Sequence, residues 1–253
     1  MKVVIIGSGN VAGVFGKIIK AAGHSIVEIV GRNKTAVSEL AKALDAKPTF
    51  SINTVTTLAD IYIIAVADHA IQQIADELRV NNKLVVHTAA AISINALSEC
   101  SDRYGVLYPL QTLKDGLETV PPIPVLIDGD DESTREILKD FCSNWAYSVA
   151  VANDQQRLKV HLSAVFVNNF TNHLLAITKK YCDENIIDFE LFQPLIHQTF
   201  SATDGRNPAD VQTGPARRHD LETIEKHRLL LAENPSMLLL YNQITQSIID
   251  FYQ

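Results

Sequence analysis

The chain has 253 residues, enough for one large domain or two smaller ones with a real core. Apolar residues make up 47% and charged residues 20%, the balance of a soluble globular protein. A net charge of −7 argues against a nucleic-acid-binding surface, and no apolar run reaches the ~20 residues that span a bilayer.

Residues 2–6, KVVII, read as a strand. The run stops at Gly7, short of the ~7–15 apolar residues of a signal peptide, so a cytoplasmic location is expected. Gly7-x-Gly9-x-x-Ala12 follows and opens a helix over 11–22. A GxGxxG/A pattern between a strand and a helix is the context of a dinucleotide-binding turn. Gly7 would permit the tight turn, Gly9 the approach of a pyrophosphate, and Ala12 close packing of helix on strand. The helix N-terminus would present free N–H groups to the phosphates.

The second strand, 25–30, carries Glu28 inside it rather than at its end. An NAD-binding turn would place a carboxylate there for the ribose hydroxyl. Gly31 is instead followed by Arg32-Asn33-Lys34, and two cations suit a 2′-phosphate. The expected cofactor is NADP(H), with Arg32 as the main contact.

A helix over 35–44, a strand over 61–66, a helix over 69–78 and strands over 83–87 and 103–107 continue the alternation. After Pro109, VPPIPVLIDG (120–129) reads as an edge strand entered through prolines. A helix over 131–144 and a last strand over 147–151 follow. From Asn153 onward only helices are predicted, over 154–181, 188–200, 221–232 and 236–252. A loop with Gly205, Pro208, Gly214 and Pro215 interrupts them. The fold class is α/β: a Rossmann-type, mostly parallel sheet followed by an all-helical C-terminal domain. The expected domains are 1–152 for the cofactor and 153–253 for substrate and dimerisation. Cys100, Cys142 and Cys182 lie about forty residues apart with no CxxC, so neither a disulfide framework nor a structural zinc site is indicated.

At about 100° per residue, Asn168 lies about 20° from His161 and Asn169 about 80° from it. The helix over 161–175 is otherwise apolar, so a polar stripe would run down a buried face. Such groups are either satisfied structurally or serve a ligand. In TGPARRHD (213–220), Asp220 suits an N-cap, while Arg217 and Arg218 are not explained by capping.

Several motifs together resemble a known superfamily. VVIIGSGNVA at 3–12, GRN at 31–33 and AVADHAI at 65–71 are similar to the NADP-dependent oxidoreductases typified by pyrroline-5-carboxylate reductase, ketopantoate reductase, 3-hydroxyisobutyrate dehydrogenase and 6-phosphogluconate dehydrogenase. VVHTAAA (85–91), YPLQTL (108–113), HLSAVFVNNFTNHL (161–174) and TGPARRHD resemble a branch in which a Rossmann-like domain is joined to a helical domain of unknown function. Ala89 and Ala90 stand where that branch usually has Ser and Gly.

The resemblance implies cofactor contacts from Gly7, Ser8, Gly9, Asn10, Val11, Arg32, Asn33, Ala65, Val66 and Ala67, with Thr88 and Pro109 beside the nicotinamide. Several dehydrogenases of the superfamily carry a catalytic Lys four residues before a catalytic Asn. Aligned on Asn169, Val165 occupies the lysine position. His161, one turn earlier, is the candidate substitute proton donor, since histidine exchanges protons near neutral pH. Asn169 would orient the reacting oxygen or nitrogen. Arg218 matches the arginine of TGPxxRxD and would hold a substrate anion, with a structural ion pair as the alternative. The expected function is hydride transfer to or from a small, anionic oxo or imino substrate in an interdomain cleft. The alternative is a non-catalytic NADP-binding sensor, which the missing lysine favours. Apolar stretches such as RLLLA and MLLLYNQI imply a homodimer through the C-terminal helices.

Overall fold

The computed structural model describes residues 1–114, 116 and 119–253. The strands are β1 (Lys2–Ile6), β2 (Ser25–Val30), β3 (Lys47–Thr49), β4 (Ile61–Ile64), β5 (Leu84–His87), β6 (Arg103–Pro109), β7 (Pro124–Gly129) and β8 (Ser148–Val151). They form one sheet in the order β3-β2-β1-β4-β5-β6-β7-β8. Neighbours are parallel except β6 and β7, which run antiparallel. The first six strands thus have the doubly wound order 3-2-1-4-5-6, with the chain reversing direction across the sheet between β1 and β4.

The continuous apolar runs follow from cover on both faces. Val3, Ile5, Ile29, Ile63 and Val86 join one core with Phe15, Val37 and Leu138. Val4, Ile6, Tyr62, Ile64 and Val85 point the other way, into a core with Ile71, Ala75 and Leu97. The helices responsible are α1 (Asn10–Ala21), α2 (Lys34–Leu44), α3 (Asp68–Glu77) and α4 (Glu132–Cys142).

Two sequence expectations are corrected here. VPPIPVLIDG does not form an edge strand, because β7 lies between β6 and β8, and β8 takes the edge. The last of its prolines, Pro124, is the first residue of β7, so the ladder from Val125 onward keeps its N–H donors. The helix expected over 154–181 is interrupted. It comprises α5 (Asp154–Ala164), a π-helical turn (Val165–Phe170) and α6 (Thr171–Glu184). The change of period breaks the 100° spacing that would align Asn168 and Asn169 with His161. The segment is also not buried in the chain, since Val167 is 74% exposed and Phe166 and Phe170 are exposed too. The short β3 was not expected; Pro48 is tolerated because β3 is an edge.

The chain divides into compact units Met1–Val167 and Asn168–Gln253. The switch from strands to helices comes earlier, after β8. The first unit keeps α5 because Arg157 is buried among backbone carbonyls of the loop after β5. Helices of the second unit are α6, α7 (Gln193–Ser201), α8 (Leu221–Leu230) and α9 (Pro235–Phe251). Arg228 Nε donates to Asn242 Oδ1 at 2.9 Å, and His227 Nδ1 lies 3.0 Å from the Tyr241 hydroxyl, tying α8 to α9.

Candidate functional site

The first turn contains two glycines with different reasons to be glycine. Gly7 has φ +130°, and a Cβ there would lie 2.1 Å from the Ala65 carbonyl oxygen. The close approach of β1 to the end of β4 therefore demands it. Gly9 has φ −89°, and a Cβ there would meet nothing within 4 Å. Neither backbone nor packing excludes a side chain at Gly9. Its bareness instead suits a molecule brought against the backbone. No side chain caps α1, which begins directly after Gly9. Ala12 is fully buried, letting α1 pack on the sheet.

A cavity of about 530 Å³ opens at this turn, on the β2 side of the direction reversal. Gly7 and Ser8 form its floor, Arg32 and Asn33 one wall, and Val66, Ala67 and His69 the other. Phe50 and Ser51 also line it. Asn33 is in addition the N-cap of α2, its side chain accepting from the Ala36 N–H at 3.2 Å. Arg32 lines the cavity and Lys34 does not; Lys34 Nζ sits 5.9 Å from the centre of the Phe50 ring.

Glu28 takes no part in this cavity. It is 1% exposed and accepts from the Thr49 hydroxyl and, at 2.7 Å, from the Thr56 N–H. Lys47 Nζ lies 3.2 Å away. The carboxylate is thus held at the β2–β3 edge, and the strand end facing the cavity carries a positive charge. The turn, the bare Gly9, the uncapped helix and the cationic wall fit the diphosphate and adenosine end of a dinucleotide.

Beyond the reversal point, the ends of β4 and β5 lie side by side. Ala65 N–H donates to the Ile6 carbonyl at 2.8 Å, and Thr88 Oγ1 lies 3.4 Å from the Ile64 carbonyl. Ala65 and Thr88 are buried. His87 is fully buried, its Nδ1 accepting from the Ala89 N–H at 3.2 Å. Burial, with the nearby Arg157 cation, lowers its pKa to about 4. It is therefore neutral at pH 7, with its proton on Nε2.

The loop after β5 is anchored by the first turn of α5. Arg157 Nε donates to the Ala90 carbonyl at 3.1 Å, and Nη2 donates to the Ile92 carbonyl at 2.6 Å. Nη2 also pairs with Asp154 Oδ1 at 2.7 Å, which accepts in turn from the Ile94 N–H at 3.1 Å. Burial pushes the Asp154 carboxyl up. The hydrogen bonds from Ser93, Arg157 and Ile94 outweigh this, and its pKa lies below the usual value. Sequence reasoning missed this arrangement. NDQQRLK looks like an exposed first turn, and its only hint is the i,i+3 spacing of Asp154 and Arg157.

At the end of β6, the Tyr108 hydroxyl and His161 Nδ1 are 3.1 Å apart. Burial raises the Tyr108 pKa, so the phenol stays protonated. Donation from this O–H to Nδ1 would leave the imidazole proton on Nε2. Tyr108 was noted in the sequence only as part of a motif. Pro109, the last residue of β6, is buried.

Gly7, Ser8, Arg32, Asn33, Val66 and Ala67 thus share one cavity. Gly9, Asn10, Val11, Ala65, Thr88 and Pro109 do not line it. His161 belongs to the first unit, whereas Asn169 and Arg218 belong to the second. Asn169 is exposed in the π turn. In the 213–220 loop, Gly214 has φ +106° and His219 φ +53°. Arg217 lies over the Tyr252 ring at 4.4 Å, and Asp220 caps α8 through the Thr223 N–H at 3.0 Å. Arg218, between them, is exposed.

Known proteins bear on these features. Residues 2–91 match the family described as NADP oxidoreductase, coenzyme F420-dependent, and residues 123–248 match a domain of unknown function, DUF2520. No curated protein sequence matches the chain. A Bacteroides fragilis protein assigned as an NADP oxidoreductase has a crystal structure that is 33% identical, covers 98% of each chain and superposes with a TM-score of 0.88. The fold recurs in a pyrroline-5-carboxylate reductase from Streptococcus pyogenes, 16% identical over 100% of this chain and 98% of that one, with a TM-score of 0.65. It recurs also in a reductive aminase from Aspergillus terreus in complex with NADPH and ethyl-5-oxohexanoate. That enzyme is 15% identical over 100% of this chain and 99% of that one, with a TM-score of 0.69. No helix among the described residues is long and apolar enough to cross a membrane. The chain therefore belongs to the family of NADP oxidoreductases in which an F420-dependent-type oxidoreductase domain precedes a DUF2520 domain, proteins that work with a nicotinamide dinucleotide.

Proposed function

We propose that the protein is an NADP(H)-dependent reductase or dehydrogenase that acts on a small, anionic oxo or imino compound. The observation that carries the NADP preference is the exchange of charge at the end of β2: Arg32 on the cavity wall, Glu28 withdrawn into the sheet edge. Gly7 to Val11 would hold the diphosphate, Arg32 the 2′-phosphate, and Thr88 and Pro109 would flank the nicotinamide. Residues 1–152 would serve the cofactor, and 153–253 the substrate and the contact with a second copy.

A bound nicotinamide supplies the two-electron chemistry; this chain handles the proton. His161 would exchange it at Nε2, with Tyr108 holding Nδ1. The Asn169 amide would orient the reacting oxygen or nitrogen, and Arg218 would grip the substrate's anionic group.

Titration with NADPH and NADH tests the reading. The wild type is expected to prefer NADPH at least about tenfold, and Arg32→Ala to lose most of that preference. Equal affinity of the wild type for the two would overturn it. Val165, in place of the lysine of related dehydrogenases, favours a second reading, a cofactor-binding sensor without turnover. Substrate-dependent NADPH oxidation across oxo acids and cyclic imines separates the two, since turnover rules out a pure sensor.

A further inference from the structure

We infer that Arg157 is a positioning residue whose guanidinium sets the shape of the loop after β5, and through it the seat of the nicotinamide half of the cofactor. The inference rests on the dinucleotide reading above.

Arg157 is 1% exposed, an unusual place for a cation. Its fork reaches two backbone carbonyls, Ala90 at 3.1 Å and Ile92 at 2.6 Å, 67 and 65 residues away in the chain. Asp154 balances its charge at 2.7 Å and fixes the Ile94 N–H from the same carboxylate oxygen. Three backbone groups of the five-residue stretch 90–94 are therefore held by one turn of α5. That turn is itself set by a capping box, in which the Asn153 side chain accepts from the Gln156 N–H and Gln156 accepts from the Asn153 N–H.

Arginine suits the site because two of its nitrogens serve three acceptors at once: Nε the Ala90 carbonyl, and Nη2 the Ile92 carbonyl and Asp154. A planar guanidinium donates along several fixed axes, whereas a lysine ammonium at the end of a flexible stem cannot serve both carbonyls in the same geometry. The anchored stretch starts at Ala90, three residues after β5 ends at the buried His87, with the buried Thr88 between them.

The sheet order decides which part of a dinucleotide would notice. The cavity with Arg32 lies on the β2 side of the reversal between β1 and β4. A dinucleotide laid across that reversal would put its other nucleotide on the β4 and β5 side, where Thr88 follows β5. Arg157 acts only on that second side.

The test is binding of two probes, NADPH and 2′,5′-ADP, to wild type, Arg157→Lys and Arg157→Ala. 2′,5′-ADP carries the adenosine and 2′-phosphate but no nicotinamide. Both variants are expected to lose about fivefold or more in NADPH affinity while 2′,5′-ADP binding stays within twofold. Guanidinium ion added to Arg157→Ala is expected to restore part of the NADPH affinity. Should Arg157→Ala fail to fold, Arg157→Lys decides alone. Unchanged NADPH affinity, or an equal loss for both probes, would overturn the inference and leave the cofactor reading intact. Failure of the wild type to bind either probe removes both.

Discussion

Val3 to Ile6 in β1 and Ile61 to Ile64 in β4 are almost wholly inaccessible, whereas Leu229 and Leu230 in α8 and Leu239 in α9 stand largely in the open. The sheet unit covers both faces of its strands with its own helices, so its core is complete within one chain. In the second unit only Cys182, Ala216, Ile224, Leu231 and Thr245 are buried. The helices of this unit leave most of their apolar side chains uncovered in the single chain. Under the dimer proposal, these exposed leucines form the face that a second copy would cover. That is the physical support for the proposed homodimer.

The sharpest way to break this contrast is a pair of truncations. Ile63→Ala, at a fully buried site, is expected to cost about 2–5 kcal/mol in denaturant unfolding. Leu229→Ala, at a site 69% exposed, is expected to leave the stability of an isolated chain within about 0.5 kcal/mol. Under the dimer proposal it would instead weaken self-association, read by sedimentation velocity across protein concentration. A monomeric wild type at micromolar concentration would dissolve the contrast.

A second expectation follows from the completeness of the sheet unit's core. Unfolded histidine titrates near 6.5 and folded His87 near 4. Between these values the unfolded chain takes a proton that buried His87 refuses. Its contribution is therefore full above pH 6.5 and is lost as pH falls toward 4, on the order of 3 kcal/mol at the acid end. His87→Gln is expected to flatten that part of the stability profile, measured by unfolding at pH 7, 5.5 and 4.5. An unchanged slope would show that His87 is not its source.

The smallest effect on stability is expected at Gly9. Gly9→Ala meets open space and an ordinary φ, so unfolding should shift by less than about 0.5 kcal/mol. Under the proposed cofactor reading, binding of NADPH is expected to weaken all the same, because the added methyl would stand where the diphosphate is proposed to lie. Gly7→Ala, by contrast, drives a Cβ against the Ala65 carbonyl and should lower stability measurably. Equal stability of the two variants would show that the two glycines do not differ as described.

Much of the sheet unit was legible because its signals are local. KVVII followed by GSGNVA announces strand, turn and helix within twelve residues. Asp220 was legible as a cap for the same reason, since its partner Thr223 is three residues away. The reading failed where neighbours in space are distant in sequence. Prolines near β7 suggested an edge, yet β8 pairs outside it. An α-helical period was assumed through residues 165–170, where the backbone takes a π turn that no local residue type announces.

The amino-acid sequence by itself determined the strand–helix alternation, the phosphate-type turn and the placing of Arg32 just past the second strand. These depend on backbone preference and on the rhythm of apolar side chains over a few residues. Only the tertiary structure decided that Glu28 turns away to Thr49 and Thr56, that Tyr108 meets His161 across 53 residues, and that Arg157 grips the loop after β5. A charged or polar side chain takes whichever partner packing brings within about 3 Å, and that choice is made by strand order and helix placement rather than by its sequence neighbours.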